Sequence, residues 1–314
     1  MGWHMASHLP KLRHQVWVWN RTEQKAVTHA EIFATQAVSI KQAVQADFIF
    51  SCLPTSQDVE ALIAAHPPKQ GAIWIDCTSG VPESAQKLAK LLEQQGSFYL
   101  DAPVSGQTVG AEKGTLTVMV GGNAQAFERA KRFSDAFAGL IEYVGESGSG
   151  FAVKAVNNTL MATHLWALAE GLTVLKGQGV DLSSALNCIN HSSGKSSMSE
   201  NIMAQRVLSR EFNKTFALDL LQKDIGIALE LVQQQQLDLS VMSLVQQEFQ
   251  QIAKPQASQL DFSAAVQGLE QRTQIELRGE SFQTILEKYS YRYISLQFKN
   301  PGILIPGFII DKLV

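Results

Sequence analysis

The sequence predicts an α/β protein: a doubly wound, mostly parallel sheet followed by an all-α domain. From residue 16 to about 145, short apolar runs alternate with longer segments of helical period. That is the pattern of βαβ units whose strands are covered on both faces. After the glycine-rich GESGSG at 145–150 the strand signals stop and helical periods take over. At 314 residues the chain is long enough for two cores. The boundaries read as 1–146 for the sheet domain, 147–272 for an all-helical domain, and 273–314 for a tail of different composition.

Taken in order, MGWHMASHLP at 1–10 has the apolar/polar spacing of a helix. Strands are expected at VWVW (16–19), DFIFSCLP (47–54), AIWIDC (72–77), SFYLDAP (97–103), TLTVMVGG (115–122) and IEYVG (141–145), each a short apolar run. Helices are expected between them near 22–30, 40–46, 56–66, 82–95 and 123–138. Beyond the boundary, helical periods fall at 150–178, 181–191, 198–209, 215–235 and 239–253. The first of these is apolar over much of its surface, as suits a helix buried between two domains. In the tail, YSYRYISLQF alternates like a strand and GILIPGFII is an apolar run broken by Pro306.

Composition narrows the function classes. A net charge of −3 gives no reason to expect nucleic acid or an anionic membrane as partner. No run of about 18 apolar residues is present, and the first residues lack the charged and apolar segments of a signal peptide. A cytoplasmic protein is expected. Cys52, Cys77 and Cys188 are too scattered for a disulfide framework or a zinc site, and Cys52 and Cys77 read as small buried hydrophobes. The seven histidines show no ligand spacing, so no metal is expected.

Parallel α/β sheets bind ligands at the carboxyl ends of their strands, and the chemistry-bearing residues cluster there. The strand VWVW ends in Asn20-Arg21-Thr22. An acid at such a position accepts from a ribose hydroxyl and favours NAD, whereas arginine pairs with a 2′-phosphate and favours NADP. A solvated loop arginine explains this tripeptide equally well. Leu53-Pro54 after the second apolar run and Thr78-Ser79 after the third face the same side, and either could simply cap a helix. Lys154 lies in an otherwise apolar helical segment, FAVKAVNN, where a lysine is costly unless paired or functional. Asn158, four residues on, shares its face.

DAPVSGQTVGAEKGTLTVMVGG (101–122), taken with VWNRTEQKA, SCLPTSQDV and GSGFAVKAVNN (148–158), closely resembles the β-hydroxyacid dehydrogenase family. That family includes 3-hydroxyisobutyrate dehydrogenase, tartronate semialdehyde reductase and the glyoxylate/succinic semialdehyde reductases. The resemblance runs from residue 1 to about 272. It implies a Rossmann-type domain, a helical domain, and hydride transfer between a nicotinamide cofactor and a small 3-hydroxy acid or semialdehyde. NADP is the preferred cofactor, with NAD possible, and a homodimer or homotetramer is implied.

The resemblance also implies roles. Lys154 becomes the general acid/base, its pKa lowered by burial, and Asn158 the amide that orients it. Ser105 and Gly106 hold a substrate carboxylate, with Gln107 standing where the family keeps a second glycine. In FALDLLQKDIGIALE, Lys223 lies near the nicotinamide and Asp224 holds the site. The family opens with a strand running into G-x-G-x-M-G, of which Met1-Gly2 is present here. Gly2 is expected at the cofactor turn, with the first strand of the sheet missing. Two further readings stand beside the enzyme: a weakly active or inactive remnant, and a non-catalytic binding or scaffolding protein that reuses the fold.

Overall fold

The structure is a computed structural model and describes residues 1–252 and 254–279. The strand-like and apolar runs expected after 288 lie outside the described residues. Helix α1 (Gly2–His8) opens the chain and tightens into a 3-10 turn, Leu9–Leu12. Strands and helices then alternate as β1 (Trp17–Val18), α2 (Glu23–Ile32), β2 (Gln36–Ala37), α3 (Ile40–Ala43) and β3 (Phe48–Ser51). They continue as α4 (Ser56–Ala65), β4 (Ile73–Asp76), α5 (Pro82–Gln94), β5 (Phe98–Asp101) and β6 (Val104–Ser105). Helix α6 (Gln107–Lys113), β7 (Leu116–Gly122), α7 (Ala124–Ser134) and β8 (Ala138–Gly145) complete the sheet half.

Local chemistry sets the helix starts beside the strand ends. At α4 the Thr55 hydroxyl accepts from the Asp58 amide while the Asp58 carboxylate accepts from the Thr55 amide, a reciprocal cap. Helix α5 begins on Pro82, where no N–H is needed. Asn123 caps α7 through its side-chain oxygen.

Strands β3, β4 and β5 pair in parallel, in register Ser51↔Asp76↔Asp101 at their carboxyl ends. The sheet is mostly parallel, as expected, with one reversal. Strand β7 runs antiparallel to β5 and β6, and β8 runs parallel to β7. The physical reason is length: residues 106–115 between β6 and β7 are too few for the crossover of a dozen or more residues that a parallel return requires. Strands β5 and β6 form one interrupted edge along β7. Pro103 between them donates nothing, yet its carbonyl accepts from the Met119 amide at 3.1 Å. Among the described residues strand β1 pairs with β2 alone, in a two-stranded sheet separate from the larger one.

The period of two in the central strand separates the two faces. Ile73 and Ile75 pack with Met5, Leu100, Val118 and Phe137 on one side. Trp74 packs with Val59, Ile63, Leu88, Leu92 and Phe151 on the other. Cys77 is buried as expected, whereas Cys52 is exposed because it lines an open cavity.

The helical half starts with α8 (Ser149–Gly177) and α9 (Leu182–Asn190), followed by a π-helix over Met198–Leu208. Then come α10 (Leu218–Gln234), α11 (Ser240–Gln250), α12 (Lys254–Ala257), a 3-10 turn over Phe262–Ala265 and α13 (Val266–Thr273). Helix α8 has 29 residues, and at about 1.5 Å each is long enough to serve both halves. Its Phe151 belongs to the sheet core, while Ala162, Leu165 and Leu172 belong to the helical one. That second core also takes in Leu277.

Candidate active site

The start of α8 is held against the sheet by close backbone approach. A Cβ on Gly150 would lie 2.4 Å from the Met119 carbonyl oxygen, and Gly148 adopts φ +96. Neither position admits a side chain without moving the helix. The Asp101 carboxylate, at the end of β5, completes the joint by accepting from the amides of Gly148 at 2.8 Å and Phe151 at 3.0 Å. Lys154 sits three residues further along α8, so the position of its backbone is fixed by sheet and loop together.

Burial pushes Asp101 up to about 6, with the Gly148 and Phe151 amides opposing the shift. A carboxyl raised in the folded chain stabilises it below the unfolded pKa and loses that contribution as pH rises through the folded value. The stability advantage of the wild-type chain over Asp101→Asn should therefore shrink by about 1 kcal/mol between about pH 5 and pH 7. Urea unfolding at several pH values checks this, and a gap independent of pH would contradict it.

Lys154 is 9% exposed, and Asn158, on the same face one turn on, is 3% exposed. Facing them across the helix pair, Asp224 of α10 is 1% exposed and accepts from the Asn158 amide at 2.6 Å. Lys223 lies 3.0 Å from the Asp224 carboxylate and donates its ammonium to the Ser79 carbonyl. Desolvation lowers the Lys154 pKa. The negative charge of Asp224 works against that, and the positive charge of Lys223 adds to it. On balance burial makes Lys154 easier to deprotonate. Lys154, Asn158, Lys223, Asp224 and Ser79, predicted from segments far apart in sequence, form one cluster.

A second group gathers at the strand ends near β1 and β3. Gly2, Asn20, Arg21, Thr22, Leu53 and Pro54 all line a single cavity of about 990 Å³. Asn20 holds its turn by accepting from the Thr22 amide at 2.9 Å. The Arg21 side chain is 72% exposed and only 3.9 Å from Asp58, a loose pair that leaves most of its donors open. Such a donor set fits the ribose and phosphate end of a nicotinamide dinucleotide. Thr78 lies next to this group: it is 1% exposed, and its hydroxyl accepts from the Leu53 amide at 3.1 Å. It shapes the loop that carries Leu53 and Pro54.

Around Ser105–Gln107 the backbone explains the family's preference for glycine. Gly106 has φ +131 and Gln107 has φ +60, so a side chain at 107 sits in the left-handed region. Gln107 is tied down by accepting from Arg206 at 3.1 Å. Arg206 is itself held by Asp261 at 3.1 Å and lies over the Phe262 ring. This places a buried cation beside the Ser105–Gln107 loop. Neither Arg206 nor Asp261 was signalled in sequence, because a lone arginine in a helix and a lone aspartate in a turn have no motif. Asp76 was also missed. Fully buried, it accepts from Ser51 Oγ at 2.8 Å and Tyr99 OH at 2.6 Å, locking β3, β4 and β5 together at their carboxyl ends. Burial pushes its carboxyl up.

Comparison with known proteins agrees with this geometry. Residues 1–145 match the family described as NAD binding domain of 6-phosphogluconate dehydrogenase. Residues 148–269 match NAD-binding of NADP-dependent 3-hydroxyisobutyrate dehydrogenase. The chain is 35% identical to a 2-(hydroxymethyl)glutarate dehydrogenase of Eubacterium barkeri over 76% of this chain and 81% of that protein. It is 32% identical to a 2-hydroxy-3-oxopropionate reductase of Escherichia coli over 86% and 94% of the two. Among solved structures it is similar to the 3-hydroxyisobutyrate dehydrogenase of Mycobacterium tuberculosis with L-serine. There the TM-score is 0.76 at 26% identity, covering 86% of this chain and 95% of that one. No helix among the described residues is long and apolar enough to cross a membrane. Joined to a Rossmann-type sheet, a helical partner domain and a buried lysine–carboxylate cluster, these matches place the chain in the β-hydroxyacid dehydrogenase family of nicotinamide-dependent oxidoreductases.

Proposed function

We propose that the chain interconverts a small 3-hydroxy acid and the corresponding semialdehyde, with NADP preferred and Lys154 as general acid/base. The observation that carries this reading is the buried Lys154 in reach of the Asp224 charge, on the face it shares with Asn158. A bound nicotinamide supplies the hydride in reduction and takes it up in oxidation. In reduction, the Lys154 ammonium stabilises the negative charge growing on the carbonyl oxygen and passes its proton to that oxygen. In oxidation, the neutral amine accepts the hydroxyl proton. A lowered Lys154 pKa serves both directions near neutral pH, since a group titrating far from the working pH serves only one. Asn158, fixed by Asp224, orients the lysine or the substrate hydroxyl. Ser105 and the amides around Gly106 offer donors for the substrate carboxylate. Aldehyde-dependent consumption of NADPH that disappears in Lys154→Ala tests the reading.

The NADP preference rests on Arg21 and on the lack of an acid at the end of β1. Arg21→Ala should weaken NADPH binding by about tenfold or more while leaving NADH within about twofold, as expected for losing one exposed charge-assisted phosphate contact. Fluorescence titration with both cofactors checks this, and equal losses for the two would contradict it. Assembly into a dimer or tetramer through the helical half belongs to the same proposal. Val153, Val156 and Leu160 support it as an exposed apolar stripe along α8.

A further inference from the structure

A glutamine in the left-handed region is uncommon, and Gln107, at φ +60, is kept there by its side chain. Its Oε1 accepts from Arg206 Nη2 at 3.1 Å, from one half of the chain to the other across 99 positions of sequence. Arg206 is 8% exposed and held on two sides. Its Nη1 donates to both Asp261 oxygens at 3.1 and 3.2 Å, and its guanidinium lies 5.4 Å from the centre of the Phe262 ring. Asp261 is fixed in turn, accepting from the amides of Thr215 and Ser263.

This anchor sets the polarity of the amide. Arginine has donors only, so Oε1 is the end of Gln107 that faces it, and the Nε2 hydrogens point away from it. Nε2 has no partner among the described residues. Gly106 beside it is exposed, and Ser105 and Gln107 are half-buried, so the loop is open to a ligand. Arg206 has its charge met by Asp261 and one arm of its fork covered by the Gln107 oxygen. The loop thus offers a neutral N–H pair, with the cation behind it masked. A left-handed glutamine costs backbone energy, and such a cost retained at a binding loop points to a function, here the aim of the amide.

We propose that Gln107, positioned by Arg206, sets the substrate class: small hydroxy acids and semialdehydes with one carboxylate, an oxygen of which accepts from Gln107 Nε2. This rests on the reading that Ser105 and the amides around Gly106 hold that carboxylate. A second carboxylate is rejected, because among the described residues the cation at this loop is already paired and does not offset the cost of desolvating another charge.

The test reads binding without turnover. The full chain, with NADPH present, is titrated calorimetrically with 3-hydroxypropionate and with a dicarboxylic counterpart, 2-(hydroxymethyl)succinate; neither hydroxy acid reacts with the reduced cofactor. The wild type is expected to bind the monocarboxylate about tenfold more tightly or better. Gln107→Gly relieves the left-handed backbone and uncovers Arg206. It should weaken the monocarboxylate by about tenfold and shift the preference towards the dicarboxylate by about as much again. Gln107→Glu keeps the contact with Arg206, so Tm should hold, while the monocarboxylate binds about tenfold more weakly for want of a donor and through charge repulsion. A merely structural bridge behaves otherwise: Gln107→Gly would lower Tm and leave both affinities as they were. That result would overturn the inference, as would equal binding of the two acids by the wild type, or no binding of the monocarboxylate. A chain that discriminates as expected yet turns over no aldehyde would contradict the catalytic reading alone.

Discussion

Lys154→Ala is expected to cut turnover by about 10²–10⁴-fold, the usual worth of a positioned general acid/base, while the chain stays folded. Lys154 is 9% exposed and its pKa is lowered by desolvation. Removing it takes a partly penalised charge out of the interior rather than creating an unpaired one. The thermal unfolding midpoint should therefore hold or rise, and NADPH affinity should change by less than about threefold, because the strand-end residues that line the cofactor cavity are untouched. Lys154→Arg is expected to be nearly as inactive, since a guanidinium holds its proton at any working pH. Activity near that of the wild type in either variant would remove Lys154 from the mechanism.

Asp224→Asn is the second large effect, and it separates positioning from proton transfer. The substitution keeps the volume and one oxygen acceptor for Asn158 but deletes the negative charge that pairs with Lys223 and acts on Lys154. Stability should fall by about 1–3 kcal/mol, because the buried Asn158 amide loses a charge-assisted partner while the partly exposed Lys223 can turn its ammonium to solvent. The charge of Asp224 raises the Lys154 pKa, so its loss lets that pKa drop further. Reduction requires the protonated lysine, and its alkaline limb should therefore move to lower pH, while oxidation gains at its acid side. Rate profiles in both directions check the sign. An unmoved profile with lost stability would make Asp224 a purely structural residue.

Most of the architecture was legible because it is written in periodicity. Residues such as Ile73–Asp76 and the long apolar helix from Ser149 carry their secondary structure in a local window. The short strands Gln36–Ala37 and Val104–Ser105 were not legible, since two residues are fewer than any pattern needs. The direction of β7 has no local signature. Strand direction depends on the length of the connection, and no helical period marks α6 because its sequence, QTVGAEK, carries Gly110 in its middle. Residues with a chemical signature at fixed spacing, Lys154 with Asn158 and Lys223 with Asp224, stand out in the sequence, and the fold brings Asn158 and Lys223 to Asp224. Those whose role arises only from tertiary contact do not stand out: Asp76 beneath three strand ends, and Arg206 with Asp261 beside Gln107. Thr78 stands out in sequence for its hydroxyl, and its contact with the Leu53 amide arises only in the fold.

The central claim is that this chain moves a hydride to and from small hydroxy acids with Lys154 handling the proton. The most direct measurement is reduced-nicotinamide absorbance during mixing of the purified chain with a panel of small carboxylated semialdehydes, using NADPH and NADH, for the wild type and Lys154→Ala. The account predicts aldehyde-dependent oxidation for at least one member of the panel, faster with NADPH and lost in the variant. NADPH bound tightly with no aldehyde turned over, or turnover unchanged by the substitution, would contradict it.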